Sequence, residues 1–340
     1  MKKVRVEDSI GMVLGHDMTK IVPGDFKGPA FKKGHIVTQE DIEVLKDMGK
    51  DHIFLLELNE DQIHENEAAV RLANAAAGKG IHLTEPMEGK VSFKAEYDGL
   101  LKVRKELLYE INGIEHISMA SLQDNTPVKK GQLVAGTRII PLITERYKVE
   151  EVEKSCIGEE AVIQIKPYKK MKLGVVITGN EVFYGRIEDK FAPVFKAKMA
   201  EYGAELMDIK FAPDDAEKIK TAILEHIQNG ADGVVTGGGM SVDPDDVTPE
   251  GIRLTGAEVI SYGAPVLPGA MFMMAYLGDK PIMGLPACGM YHKTTIFDLI
   301  FPRVLAGERI KKRDIAALGY GGLCTQCKIC TYPACHFGKA

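Results

Sequence analysis

Between Met171 and Leu305 short apolar runs alternate with stretches of helical period, and few architectures tolerate that order. Leu173 to Thr178, Leu206 to Phe211, Gly233 to Thr236 and Pro281 to Leu285 read as strands, while Phe191 to Tyr202, Ala216 to Gln228 and Tyr291 to Leu305 read as helices. Parallel strands need a long crossover between them, and a helix supplies it while covering a face of the sheet. The predicted fold class is therefore α/β, a doubly wound, mostly parallel sheet, preceded by smaller α+β and mostly-β modules.

With 340 residues the chain has room for two or three domains. An α+β module with a connector helix is expected over 1–89, a small mostly-β module over 90–170, the α/β domain over 171–307 and a Cys-rich tail over 308–340. In the first, Thr38 and Asp41 are placed to start a helix that Gly49 ends, His52 to Leu56 reads as a strand, and Asp61 to Ala77 as an Ala-rich helix with solvated charges. In the second, Leu100 to Val103, Ile117 to Ala120 and Leu133 to Leu142 read as short strands, followed by a helical stretch at Glu145 to Lys154 and a β run at Ala161 to Ile165. After Gly307 no periodic core segment is expected.

Composition narrows the function classes. Forty-three Lys and Arg against 48 Asp and Glu give a net charge of −5, so no basic field collects phosphate backbones, and nucleic acid is not an expected partner. The charged start, Met1 to Asp8, does not read as a signal peptide. The uncharged, apolar-looking stretch Gly263 to Gly278 is 16 residues long and contains Pro265 and Pro268, too short and interrupted for a bilayer crossing. A cytoplasmic protein without a membrane partner is expected.

In an open parallel sheet, ligands bind beyond the carboxyl ends of the strands. Four polar or Gly-rich loops leave those ends here: Gly179-Asn180-Glu181, Pro213-Asp214-Asp215, Thr236-Gly237-Gly238-Gly239-Met240-Ser241, and Gly284-Leu285-Pro286-Ala287-Cys288. The glycine run can form an anion nest, with Ser241 adding a hydroxyl, or can be a plain tight turn. The carboxylates of Asp243, Asp245 and Asp246 suit a ligand that also carries N–H donors or a divalent cation. Asp214 also reads as a cap for the helix near Ala216, with Glu217 completing a capping box, and Thr248-Pro249 as an ordinary helix start. No Gly-x-Gly-x-x-Gly on a strand-turn-helix, P-loop or Gly-x-Ser-x-Gly elbow occurs.

Taken together, Thr178-Gly179-Asn180-Glu181 with Gly185, Pro213-Asp214-Asp215, Thr236-Gly237-Gly238-Gly239 with Ser241, Asp246-Val247-Thr248-Pro249, Pro268-Gly269 and Gly284-Leu285-Pro286 resemble the molybdopterin-binding domain of molybdenum-cofactor biosynthesis. That domain is shared by molybdopterin adenylyltransferases and gephyrin-type molybdopterin molybdotransferases. The resemblance implies a crevice that holds the phosphate and dithiolene pterin, sometimes with AMP attached. It implies catalytic roles for Asp214, Asp246 and Glu181, with Mg2+ at the carboxylates. Cofactor contacts are implied for Thr178, Gly179, Thr236, Gly237, Gly238, Gly239, Ser241, Pro268, Gly269, Gly284, Leu285 and Pro286. Molybdate, AMP, a molybdoenzyme client and a homo-oligomer complete the implied partners. The first 170 residues lack the Pro-Pro-Phe-Asp-x-Ser-x-Met-Asp-Gly-Tyr-Ala motif of molybdotransferases and carry Ile21 to Gly28 instead. The resemblance implies a molybdotransferase-like transferase that promotes molybdate insertion into molybdopterin or its adenylated form; the missing motif speaks for the alternative, a non-catalytic carrier that hands molybdopterin to a client. Cys288 at the Gly-Leu-Pro loop reads as a small packed thiol.

Six cysteines occur, and Cys324, Cys327, Cys330 and Cys335 fall within 12 residues. In a reducing compartment this crowding suggests metal rather than disulfide. Successive x2 spacings resemble ferredoxin-type cluster loops, and a zinc site of four cysteines, or of three with His336, is the alternative.

Overall fold

The computed structural model describes residues 2–22, 26–55, 58–158 and 160–339. Leu56 of the first expected strand, and Pro23 to Asp25 of the segment that replaces the molybdotransferase motif, lie outside them. The chain divides into two compact units, one of Met1–Glu96, Val103–Leu122 and Gly131–Gln164, the other of Tyr97–Lys102, Gln123–Lys130 and Ile165–Ala340. No helix among the described residues is long and apolar enough to cross a membrane.

In the first unit the amino-terminal helix runs Asp41–Asp47. Thr38 donates through both its amide and its hydroxyl to Asp41 Oδ2, at 2.8 and 2.9 Å, so the two residues pair, but Thr38 is not the cap: Glu40 holds that position and no side chain caps the helix. The Ala-rich helix begins at Glu65 rather than Asp61, because Gln62–His64 is drawn into a two-stranded ladder with Ile143–Glu145. His64 caps it by accepting from the Asn66 amide at 3.2 Å. Its charges are not all solvated: Arg71 makes a two-point pair with Glu153 at 2.6 and 2.8 Å, and Glu65 is buried. A four-stranded antiparallel sheet has the order Ile81–Leu83, Lys90–Ala95, Leu133–Ile139, Ile117–Ser121. The helix Lys105–Gly113 was not anticipated from sequence, though Leu107, Leu108 and Ile111 form its buried side.

The second unit is built on six strands: β1 (Lys172–Thr178), β2 (Glu205–Ala212), β3 (Gly233–Gly237), β4 (Glu258–Tyr262), β5 (Met273–Leu277) and β6 (Lys280–Leu285). Their order is β2-β1-β3-β6-β5-β4. The first three pairings are parallel, and β5 runs antiparallel to both its neighbours. The strands β4 and β5 escaped the sequence reading because Pro265 and Pro268 punctuate the stretch between them.

The central strands are apolar on both sides because both faces are covered. Leu173, Val175 and Ile177 of β1 pack with α2 (Phe191–Tyr202) and α5 (Ile296–Leu305), while Val176 packs with α3 (Ala216–Gln228) and α4 (Thr248–Leu254). Strand alternation alone sorts these residues. The buried stripe of α3 is Ile219, Ala222, Ile223 and His226, the spacing of one helix face. It sits close: a Cβ on Gly174 would lie 2.3 Å from the His226 ring, and His226 Nε2 donates to the Val175 carbonyl at 3.0 Å. Residue α5 Ile296 follows Thr295, whose hydroxyl accepts from the Phe297 amide while Asp298 accepts from the Thr295 amide. That capping box starts the helix five residues later than Tyr291, and a 3-10 turn, Ala287–Met290, precedes it.

The expectation that nothing after Gly307 joins a core is overturned. Ile310, Ile315 and Phe337 are fully buried in the same cluster as α5, and Tyr332, Cys324 and Cys335 pack against it. A short helix α6, Lys312–Ala317, carries Ile315 inward. The tail then docks by backbone bonds, Leu267 N to Gly322 O and Cys324 N to Leu267 O, both 2.8 Å.

Candidate functional site

The carboxyl ends of β1, β2 and β3 meet at one edge of the sheet, because parallel strands all discharge their loops there. Each loop is stitched to its neighbours. The Gly179 amide donates to Ala212 O at 3.2 Å, and the Thr248 amide to Gly239 O at 3.1 Å. The buried Thr178 hydroxyl lies 2.8 Å from the Thr248 hydroxyl, so Thr248, to which sequence assigned only a helix start, is a buried support of the crevice. Gly238 has φ +97°, and a Cβ on it would stand 2.3 Å from the Thr178 carbonyl oxygen. Gly239, at φ +55°, has Thr248 Oγ1 where a Cβ would go, at 2.5 Å. Only glycine permits this approach of two backbones.

The cap of α3 falls to Asp215, which accepts from the amides of Glu217 and Lys218 at 3.0 and 3.1 Å. This corrects the capping role read for Asp214. Instead, Asp214 Oδ2 accepts from the Asn180 amide at 2.8 Å, and Asn180 Oδ1 accepts from the Asp214 amide at 3.3 Å. Burial pushes the Asp214 carboxyl above the ordinary aspartate range; the Asn180 bond opposes this, and the charges of Glu181, Asp245 and Asp246 add to it.

These loops enclose a cleft of about 850 Å³, within the range of small-molecule sites. Of the anticipated residues, Thr178, Gly179, Glu181, Asp214, Gly238, Gly239 and Asp246 line it together. The others do not reach its wall. Thr236 lies inside β3 with its hydroxyl buried and without a hydrogen-bond partner, and Gly237 faces the Phe191 and Phe195 rings. Ser241 is exposed beyond the loop, its carbonyl accepting from the Tyr262 hydroxyl at 3.1 Å. Pro268, Gly269, Gly284, Leu285 and Pro286 are buried; Gly269 meets Ile296 at the start of α5.

Sequence reasoning missed part of the lining. Arg186, Glu188, Asp189 and Lys190 border the cleft, as do Met290 and Tyr291 of the turn before α5. The charge density after Gly185 was the available signal. Asp189 is committed to the start of α2, accepting from the amides of Phe191 and Ala192 at 2.8 and 2.9 Å, which leaves Arg186 and Lys190 as the lining cations. Burial pushes the Cys288 thiol upward, consistent with a packed rather than a reactive sulfur.

The tail cysteines are all free thiols and line a separate cavity of about 310 Å³ in the same unit. Among the described residues no group of three or more His, Cys, Asp or Glu side chains is set to hold a single metal ion. Neither the carboxylates of the cleft nor the thiols of the tail therefore form a ready single-ion cage.

Comparison with known proteins agrees with the crevice. A profile described as a probable molybdopterin binding domain matches residues 174–306, and one described as a domain of unknown function matches residues 3–57. The molybdopterin molybdenumtransferase of Haemophilus influenzae is 26% identical over 195 residues, covering 55% of this chain and 46% of that protein. That of Staphylococcus epidermidis is 22% identical over 301 residues, covering 83% and 65%. The chain thus spans about half to two thirds of the length of these curated relatives. The solved tungsten cofactor synthesizing protein MoaB from Pyrococcus furiosus is 22% identical with a TM-score of 0.34, covering 42% of this chain and 99% of that one. The segment that carries the crevice, residues 174–306, belongs to the molybdopterin-binding domain family of molybdenum-cofactor biosynthesis.

Proposed function

We propose that this protein binds molybdopterin, or its adenylated form, in the crevice and promotes molybdate insertion with release of AMP. The observation that carries this reading is the meeting of Asp214, from the loop after β2, with Asp246 and the Gly238-Gly239 turn, both from the loop between β3 and α4, at one cleft. Amides of the glycine turn, with no side chain in front of them, would hold the terminal phosphate. The carboxylates would accept from the N–H edge of the pterin, which an aspartate can do in parallel fashion. Glu181 would polarise the reacting oxygen. No side-chain nucleophile is needed, because positioning and charge neutralisation do the chemistry.

A magnesium ion fits as an accessory. Burial, and after it the neighbouring charges of Glu181, Asp245 and Asp246, raise Asp214; a cation would offset those charges, and Mg2+ is usually held by one or two carboxylates plus substrate phosphate and water. Asp214 and Asp246 would be its protein ligands. The same proposal extends to a molybdoenzyme client that receives the product, to self-association, and to metal binding, as iron–sulfur or as zinc, by the four tail thiols.

The test is AMP release from adenylated molybdopterin in the presence of molybdate. Wild type should turn over, and Asp246→Asn should lose about 30- to 1000-fold in rate, the equivalent of about 2 to 4 kcal/mol of transition-state stabilisation. The thermal midpoint should stay unchanged, since a partly exposed loop carboxylate adds little packing. Tight binding without AMP release would identify a carrier and refute the transferase reading, and turnover of Asp246→Asn within a few-fold of wild type would remove Asp246 from the machinery.

A further inference from the structure

We propose that the carboxy-terminal tail is a preformed socket for an iron–sulfur cluster, held by Cys324, Cys327, Cys330 and Cys335 and walled off from the crevice by the turn that carries Tyr291. This rests on the metal reading of the tail and is independent of the pterin reading of the crevice.

The socket is built before any guest arrives. Phe337 is buried in the α5 core, the Tyr332 hydroxyl donates to the Asp298 carbonyl at 3.1 Å, and the Gly338 amide donates to Gly321 O at 2.9 Å. Together with the Cys324 amide, which donates to Leu267 O at 2.8 Å, these contacts tie both ends of the cysteine loop to the domain. All four cysteines then line one cavity of about 310 Å³, the share of about ten water molecules in the liquid.

The size and spacing distinguish the guest. Zinc holds sulfur at about 2.3 Å, which puts four tetrahedral sulfurs about 3.8 Å from one another. The four cysteines here border a cavity of about 310 Å³, far more room than one ion inside such a tetrahedron takes. The mixed alternative with His336 is also weakened, since its Nε2 donates to the Leu323 carbonyl at 3.1 Å. A polynuclear cluster suits the arrangement better, because each cysteine ligates a different part of a larger object.

The surroundings match a sulfur-rich anion. The Gln326 amide donates to Cys324 Sγ at 3.4 Å, and the Thr294 and Thr325 hydroxyls lie 3.3 and 3.5 Å from Cys330 Sγ and Cys327 Sγ. Lys293 and Lys328 line the cavity and offset the negative charge that four thiolates bring. Hydrogen bonds to sulfur and local charge are the levers that tune such clusters. Tyr291 lines both this cavity and the cleft, so the cluster would sit against the crevice wall.

The full chain, purified without air, is incubated with ferrous iron and sulfide, and in parallel with zinc alone, then desalted and analysed. Iron and acid-labile sulfide in equal amounts, about two to four of each per chain, with broad visible absorption that a reductant bleaches, are expected. Cys327→Ser, at an exposed position, should lose most of this at an unchanged thermal midpoint, while Cys156→Ser, outside the socket, should retain it. Stable zinc with no retained iron and sulfide would overturn the cluster and leave the metal reading standing. Retention of no metal, or oxidation of the thiols to disulfides alone, would overturn both. Full cluster content in both Cys327→Ser and Cys330→Ser would overturn the assigned ligands.

Discussion

Gly238→Ala tests how tightly the crevice backbone is fitted. Alanine at φ +97° pays the left-handed penalty of about 1 to 2 kcal/mol. Its Cβ would also stand 2.3 Å from the Thr178 carbonyl oxygen, a backbone atom inside a stitched loop that cannot swing aside like a side chain. Overpacking of that kind adds about 1 to 3 kcal/mol, so the total is about 2 to 5 kcal/mol. Gly185→Ala is the internal control, because it has φ +67° but nothing within 4 Å of its Cβ. It should show the dihedral cost alone, about 1 kcal/mol. Urea unfolding of both variants beside wild type measures the difference. If the loop instead shifts to relieve the contact, molybdopterin affinity should fall about tenfold or more in Gly238→Ala and stay near wild type in Gly185→Ala. Equal stabilities within about 0.5 kcal/mol, with equal affinities, would refute the claim that the two loops are in contact by design of the backbone.

Phe337→Ala should destabilise the second unit by about 3 to 5 kcal/mol, because it empties a fully buried site in the α5 cluster; an unchanged urea midpoint would mean that the tail is not part of that core. Burial holds His226 below the ordinary histidine value, so the unfolded chain binds its proton more readily and the contribution is complete above about pH 6.5 and declines as pH falls below it. Thermal midpoints measured on acidification through that range should therefore drop more for wild type than for His226→Gln, and parallel profiles would show that His226 is not held neutral.

Much of the second unit was legible in the chain because it is written in local patterns. Helix α2 and helix α3 end where the apolar stripe and the following Gly203 or Asn229-Gly230 say they should, since a helix reports its buried face at every turn. The central strands announce themselves as unbroken apolar runs because both faces are covered. The loops after β1, β2 and β3 could be placed at one edge from topology alone, which is why Asp214, Asp246 and the Gly238-Gly239 turn were found before any coordinate.

What tertiary structure decided is which neighbour each polar group serves. Asp214 and Asp215 are adjacent and chemically identical, and only the docking of Asn180 frees the first for the crevice while the second caps α3. The edge strand β4 and its neighbour β5 carry prolines between them and gain their identity by pairing, β5 with β6 and β4 with β5, a long-range choice that no local window contains. The tail shows the same limit: Ile310, Ile315 and Phe337 are spaced without period, yet each finds a hole in the α5 core. Burial without periodicity is invisible in a one-dimensional pattern, because it depends on the surface that the rest of the domain has already made.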